Sequence, residues 1–383
     1  YFQQEPDCAR HLSAMERAAA ARRGSLSPAA VRAIYGERVS MTASRLERLR
    51  SCHFAYFLRY GLDARARRPA GFDAPEYGTF VHYVLEHVLR AIQDQGGAAQ
   101  VSDEAIQGFA TQAVRDYVHG KLGGMEHQTP RFRYLFRRLE KGVRAVVENV
   151  VAELRSSDFQ PLWFELGFGY GPDKSLPPVN RTSHGITLSI SGFVDRVDGW
   201  RNEKDGRLYL RVVDYKTGRK SFDLTEVWNG LGLQLLLYLF TLEREGSPLF
   251  GEQPVPAGVL YLPAREAVLK GSRTMDEAAR QKELDKELLR KGLILEDADV
   301  VEAMEHGEGS LRFLPVKVKT KKDETSISGD ALVSAEKLGR LDLHIQTILA
   351  QICQEIARGN IDADPFWRSK EQNACTYCEF AQA

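Results

Sequence analysis

The sequence has 383 residues, 43% of them hydrophobic and 27% charged, with 52 basic side chains against 52 acidic ones. That length allows one large domain or two ordinary ones with a substantial core, and the zero charge balance excludes a whole-surface electrostatic grip on nucleic acid while leaving room for a local basic groove. No run approaches the roughly 18 apolar residues of a membrane span, and five scattered cysteines do not make a secreted disulfide scaffold, so a reducing cytoplasm is expected.

Tyr1-Phe2-Gln3-Gln4 reads as the remnant of a protease-cleavable tag, and no signal peptide is expected. Residues 5–40 are rich in Ala and Arg and read as a helical lead-in. In the following M-T-A-S-R-L-E-R-L-R-S-C-H-F, Thr42 or Ser44 can cap a helix carrying Leu46 and Leu49. Cys52 sits among aromatics and reads, alone, as a small buried hydrophobe. From Asp73 to Arg90, Pro75 and Glu76 suit a helix start, and Val81, Val84, Leu85 and Val88 make its apolar stripe. His82 and Glu86 share one face of that helix. His82 is a structural histidine or, if the helix packs near an acidic site, a metal ligand.

Residues 103–155 predict two helices around Gly123-Gly124. The second mixes Arg131, Arg133, Arg137, Arg138, Lys141 and Arg144 with Phe132, Tyr134 and Phe136. This is a surface for a single strand, or a solvated basic face over a core stripe. Pro161 to Tyr170 predicts a strand with Glu165 in its middle. Residues 185–198 and 207–216 predict a hairpin across the polar turn 201–206, which ends in Asp-Gly. Its two arms read S-G-F-V-D-R-V-D-G-W and R-L-Y-L-R-V-V-D-Y-K-T-G. Side chains alternate along a strand, so Asp214 and Lys216 share a face, and the hairpin can bring Asp195 beside Asp214. A carboxylate can hold a divalent metal and an ammonium can sit beside a phosphate or its attacking water. An Asp followed at a distance by Asp-x-Lys is the pattern of PD-(D/E)xK nucleases; the plainer reading is an exposed charged strand end.

A helix is predicted from about 224 to 243, with Gln234 and Tyr238 one turn apart on one face. They are boundary residues or contacts to a DNA backbone. Residues 257–262 predict a further strand, and 265–307 a charged, largely helical stretch. In V-K-V-K-T-K-K, Lys317, Lys319 and Lys321 share a strand face, as an edge-strand safeguard or a DNA-facing strip, the edge reading being preferred. Residues 334–358 predict a long amphipathic helix packing Cys353. The tail holds Cys375 and Cys378 as Cys-x-x-Cys, a spacing for zinc, iron–sulfur or redox exchange. No thioredoxin-like βαβ surrounds it, and Cys52 is a further possible ligand. Helices, three strands, a helix and a strand make a mixed α/β core.

These motifs resemble the C-terminal nuclease domain of AddB, the second subunit of the bacterial AddAB helicase–nucleases, within the RecB-like PD-(D/E)xK family. The resemblance runs from about residue 41 to the end. It rests on S-R-L-E-R-L-R-S-C-H-F-A-Y-F-L-R-Y-G-L, D-A-P-E-Y-G-T-F-V-H, S-G-F-V-D-R-V-D, V-V-D-Y-K-T-G-R-K-S-F-D-L-T-E-V, L-Q-L-L-L-Y-L, P-A-G-V-L-Y-L and C-T-Y-C. It implies a restriction-endonuclease-like core over 41–383, a mixed central sheet flanked by helices. It also implies an iron–sulfur staple joining 41–66 to 366–383.

The resemblance further implies that His82, Asp195, Asp214 and the Tyr215 carbonyl hold Mg²⁺ or Mn²⁺, with Glu165 in support. Lys216 would position water or stabilise charge on the phosphate, and Gln234 and Tyr238 would match the family's Gln-x-x-x-Tyr motif beside the site. The reaction would be Mg²⁺-dependent exonucleolytic hydrolysis of single-stranded DNA released from unwound duplex ends during double-strand-break repair. Cys52, Cys375 and Cys378 would hold a [4Fe–4S] cluster whose fourth ligand falls at position 384, just past Ala383. No G-x-x-x-x-G-K-[ST] occurs, so no ATP hydrolysis is expected here. Unwinding would come from the partner AddA, beside the rest of AddB, in the bacterial cytoplasm and without a membrane. The alternatives are a free-standing RecB-like or CRISPR-associated iron–sulfur exonuclease, a non-catalytic DNA-binding domain, and a zinc-stapled structural protein.

Overall fold

A computed structural model describes residues 5–20, 24–65, 74–126, 128–169, 176–267, 269, 275–322 and 324–381; the tag-like first four residues lie outside them. The lead-in forms α1 (Pro6–Ala20) and α2 (Pro28–Tyr35). The Ser27 hydroxyl accepts from the Ala30 N–H, and Pro28 occupies the first turn, where a missing N–H costs nothing. After β1 (Arg38–Thr42), Thr42 caps α3 (Ala43–Ser51) by accepting from Arg45 N at 3.3 Å. α4 (His53–Tyr56) and a π-helical turn (Phe57–Gly61) follow.

Three long helices come next, α5 (Ala74–Asp94), α6 (Asp103–Leu122) and α7 (Pro130–Arg155). Gly123 ends α6 in the left-handed region at φ 67°, as glycine does readily. The stripe Val81, Val84, Leu85 and Val88 is fully buried, as its spacing requires.

The sheet strands are β2 (Gln160–Phe168), β3 (Val179–Ser183), β4 (Ile186–Arg201) and β5 (Leu208–Lys216). They are followed by α8 (Leu224–Trp228), α9 (Gln234–Glu245), α10 (Ser247–Phe250) and β6 (Val255–Pro263). Then come α11 (Glu277–Glu287), β7 (Lys291–Leu295) and α12 (Ala298–Met304). The chain finishes through β8 (Gly309–Ser310), β9 (Lys317–Lys321), β10 (Glu324–Ser328), β11 (Leu332–Val333) and α13 (Ala335–Ala357).

β4 is the trunk of an eight-stranded mixed sheet ordered β1-β4-β5-β6-β7-β11, with β2 and β3 also joined to β4. Its first half pairs with β1 in parallel and β3 antiparallel; its second half pairs antiparallel with β2 and β5. β5 and β6 run parallel, and α8 to α10 make the crossover that parallel pairing needs. α9 packs on β5 and β6, α13 on β3 and β4, and α5 on β2 and α7. A mixed sheet flanked by helices is the expected architecture.

Four expectations change, the first being that the lead-in read as helical over 5–40 ends in the strand β1. The single helix read over 224–243 is two helices, because Gly230 and Gly232 adopt φ 84° and 63° between them. These left-handed positions end α8 and turn the chain before α9. The stretch read as helical over 265–307 contains β7. There β6 approaches Gly292 so closely that a Cβ would lie 1.8 Å from the Val259 carbonyl oxygen. The edge reading of Lys317, Lys319 and Lys321 fails, since β9 is the central strand of a separate β10-β9-β8 sheet; the lysines remain exposed.

Candidate metal and active centre

Three neighbouring strands bring three carboxylates into one row. Arg196 pairs with Val213, so one further step along the hairpin sets Asp195 opposite Asp214. Phe164 pairs with Arg196 and Leu166 with Val194, which sets Glu165 opposite Asp195 on the other side. The row is therefore Glu165 on β2, Asp195 on β4 and Asp214 on β5. Glu165 adopts φ 48° inside its strand, a conformation costing about 1–3 kcal/mol for a non-glycine residue and concentrated at functional sites.

α5 supplies the fourth group. His82 Nδ1 lies 3.3 Å from Asp195 Oδ1, and its Nε2 lies 3.1 Å from the Tyr215 carbonyl oxygen. Asp195 Oδ2 accepts from the Tyr215 N–H at 2.6 Å, locking the end of β5 to β4. Among the described residues, His82, Glu165 and Asp195 each offer a ligand atom, all within 4.8 Å of one another. Lys216 Nζ stands 2.6 Å from Asp214 Oδ2, so the two share a face as strand alternation demands.

The electrostatics are those of a site short of positive charge. Burial and the neighbouring Asp195 push Glu165 up to about 7. Burial and Asp195 likewise push Asp214 up to about 6, against the pull of Lys216. Burial alone would lower His82, but the Asp195 carboxylate outweighs it and raises the imidazole to about 9. Glu165 and Asp214 hold on to protons because they are buried beside Asp195 with too little cation among them. Asp214 is buried, and the Lys216 ammonium is the cation against its Oδ2. This donor set of one imidazole, carboxylate oxygens and a backbone carbonyl suits a small divalent ion.

A family model described as the PD-(D/E)XK nuclease superfamily matches residues 40–383. The chain belongs to this superfamily. Among curated proteins, the B subunit of the ATP-dependent helicase/deoxyribonuclease of Clostridium novyi (strain NT) is 32% identical over 359 residues, covering 93% of this chain and 31% of that relative. The protein of the same name from Acetivibrio thermocellus is 32% identical over 355 residues, covering 91% and 30%. That from Clostridium tetani is 29% identical over 353 residues, covering 92% and 30%. The chain thus spans under a third of the length of these relatives. They are B subunits of the kind that the motifs resemble.

Behind this nuclease-superfamily row lies a second charged cluster that sequence reasoning missed. Arg196, Asp198 and Arg211 point to the opposite side of the hairpin from Asp195 and Asp214. Asp198 is 2.7 Å from Arg196 Nε and 2.8 Å from Arg211 Nε. Glu153 of α7 is 3.3 Å from Arg211 Nη2 and 2.8 Å from Arg290 Nη2. All five side chains are at most 1% exposed. Arg196 Nη1 also donates to the Tyr215 hydroxyl at 3.4 Å, tying this cluster to the residue whose carbonyl faces His82. The only sequence signal was arginine at alternating positions in strongly apolar strands.

The remaining predicted residues fall in two places. Gln234 is half-buried at the first position of α9, on the helix that covers β5. Tyr238 is 3% exposed, stacked on Phe168 at 4.8 Å. A Cβ at Gly192 would lie 2.1 Å from its hydroxyl, so glycine is what lets this ring lie against β4. The cysteines sit elsewhere, where the tail returns to α3 and α4. Phe366 N donates to the Ser51 carbonyl at 2.8 Å and Phe54 N to the Asp362 carbonyl at 2.9 Å. His53 bridges Asp364 at 2.8 Å and Glu355 at 3.2 Å. Arg48 joins both cysteine segments: its carbonyl accepts from Cys52 N, and its Nη2 donates to Cys378 Sγ at 3.6 Å. Cys52, Cys375 and Cys378 are free, partly exposed thiols.

Proposed function

We propose that this chain is the metal-dependent deoxyribonuclease module of a helicase–nuclease, hydrolysing phosphodiester bonds of unwound single-stranded DNA from an end. The observation that carries it is the row Glu165–Asp195–Asp214 with Lys216 2.6 Å from Asp214. His82, Asp195, Asp214 and the Tyr215 carbonyl would hold Mg²⁺ or Mn²⁺, with Glu165 beside them. When bound, the ion supplies a Lewis acid that offsets charge on the phosphate and acidifies water.

The chain's own groups do the rest. Asp195 clamps the end of β5 through the Tyr215 N–H and fixes the ring of His82. Lys216, held on the open side of Asp214, carries a positive charge to the phosphate and orients the attacking water. Gln234, at the start of α9, would meet the DNA strand beside this centre. Tyr238 braces β4 from beneath through Phe168 and Gly192.

The docked tail supports a cofactor reading of the cysteines. Cys52, Cys375 and Cys378 would hold a [4Fe–4S] cluster with a fourth ligand after residue 383. The Arg48 guanidinium already faces the Cys378 sulfur, which suits a thiolate set carrying excess negative charge. Such a link would act as a staple, closing a very long loop. Iron analysis and visible absorption separate it from zinc. The partners would be a helicase A subunit and the remainder of the B subunit, in the bacterial cytoplasm. No helix among the described residues is long and apolar enough to cross a membrane.

The test is cleavage of single-stranded DNA with Mg²⁺ by the wild type, Asp214→Ala and Lys216→Ala, with folding followed by circular dichroism. Loss in both folded variants is expected. Cleavage by Asp214→Ala at the wild-type rate would overturn the assignment.

A further inference from the structure

A basic cavity opens on the far side of Lys216 from the carboxylate row. The sheet order β4-β5-β6-β7 puts the row at β2, β4 and β5. The cavity, about 350 Å³, lies where β5 and β6 end and β7 begins. Lys216 pairs with Pro263, and Tyr261 with Lys291, so its floor is the rim of three adjacent strands. Its cations are Lys216, Arg219, Lys220, Arg265, Lys286 and Lys291, against one carboxylate, Glu287.

That carboxylate aims its neighbours. Glu287 Oε2 is 3.2 Å from Arg219 and 3.0 Å from Arg265, and these guanidinium groups hold it below the usual carboxylate range, Arg265 most. Lys291 has no ion-pair partner among the described residues. Lys216 and Lys220 stand 5.5 and 5.9 Å from the ring centre of buried Tyr261, which provides an apolar wall with a cation-attracting face. Lys216, Lys220 and Lys286 also pair with Asp214, Glu226 and Glu283, so the cavity's excess positive charge rests on Arg219 and Arg265, which share Glu287, and on Lys291, and there it focuses a local potential.

We propose that this cavity is a phosphate subsite. It binds an internal phosphodiester of the DNA strand, one that flanks the cleaved bond on the side of Lys216 away from Asp195. The proposal rests on the nuclease reading and sharpens it, because Lys216 becomes the hinge between the bond that is cut and the linkage that is held. Arg219, Arg265 and Lys291 are then strand-positioning residues, and Lys216 alone of the six touches the chemistry. The exposed basic turn of α7 and the β9 lysines are left outside this subsite.

The experiment measures binding of a fluorescein-labelled 20-nucleotide single strand by anisotropy in EDTA, where no cleavage occurs. Arg219→Ala with Lys291→Ala is expected to weaken binding at least tenfold and to lower the salt slope by about 0.7 per cation removed. Lys319→Ala, on the separate β9 sheet, is expected to change neither. A set of strands, each neutralised at one linkage by methylphosphonate, is expected to show one linkage whose neutralisation weakens the wild type but not the double variant. A double variant within twofold of wild type, or equal loss at every linkage in both proteins, overturns the subsite. Asp214→Ala, assayed in parallel for cleavage with Mg²⁺, tests the nuclease reading separately, since it should bind the strand and not cut it.

Discussion

The two charged clusters of this fold begin one residue apart. Asp195 and Arg196 leave β4 on opposite faces. Asp195 joins Glu165, Asp214, His82 and Lys216; Arg196 joins Asp198, Arg211, Glu153 and Arg290. The second cluster has three guanidinium groups for two carboxylates; Glu153 and Arg196 are driven further into their ionised forms, while burial lowers Arg290. Glu153 is held near 2 by Arg290 and Arg211 despite complete burial, and Arg196 is raised by Asp198. The first has three carboxylates and too little cation, and Glu165 and Asp214 are pushed towards their neutral forms. Charge held in close, fully buried ion pairs serves architecture. Carboxylates crowded against one another mark where an external cation and its chemistry belong.

The comparison breaks first at Asp214. Asp214→Asn should lower cleavage on the order of 10³-fold, the effect of losing several kcal/mol of Lewis-acid stabilisation. Its urea midpoint in EDTA should not fall. An equal loss of activity and stability would erase the distinction between the clusters. The converse substitution, Glu153→Gln, should cost roughly 3–5 kcal/mol in urea unfolding, because it strands buried guanidinium groups. Cleavage per folded molecule should stay near wild type.

The pH responses should have opposite signs. In EDTA, Glu165 and Asp214 bind protons more tightly folded than unfolded. Their contribution is full below about pH 4 and is lost as pH rises through about 6 to 7. Glu153 does the reverse: its contribution is present above about pH 4.5 and is lost as pH falls towards 2. Urea midpoints across this range should show both limbs, and Mg²⁺ should flatten only the first. The smallest effect is at Glu165. Glu165→Asn accepts the left-handed backbone and removes a repelling charge, so it should stabilise the metal-free protein by about 0.5–1 kcal/mol. A loss of stability would show that the carboxylate is matched after all.

The parts of the site legible in the sequence were those set by short-range rules. Asp195, Asp214 and Lys216 followed from a hairpin and strand alternation, and the buried stripe of α5 from helical spacing. His82 stayed ambiguous until the family resemblance, because the meeting of α5 with β4 is tertiary. Glu165 needed the resemblance too, and its left-handed φ had no local signal. The guanidinium cluster was invisible because arginine in a strand ordinarily reads as exposed. β1 and β7 were missed for a similar reason: R-V-S-M-T and K-G-L-I-L are short and sit in charged surroundings. The break between α8 and α9 hid in N-G-L-G-L, where apolar residues carried a helical period across two glycines.

β4 also governs when this protein can exist. Residue 38 pairs with residue 187, so β1 waits for 149 further residues before its partner has been made. At about 5–20 residues per second that is roughly 7–30 s of synthesis. During that time α5 and its histidine have no acid row to meet. The carboxylate row closes only once Asp214 and Tyr215 have emerged, and the return of the tail to α3 follows later still. A ribosome-bound chain cut short before β5 should therefore carry most of its helices and an incomplete candidate centre, His82, Glu165 and Asp195 without Asp214, Tyr215 and Lys216.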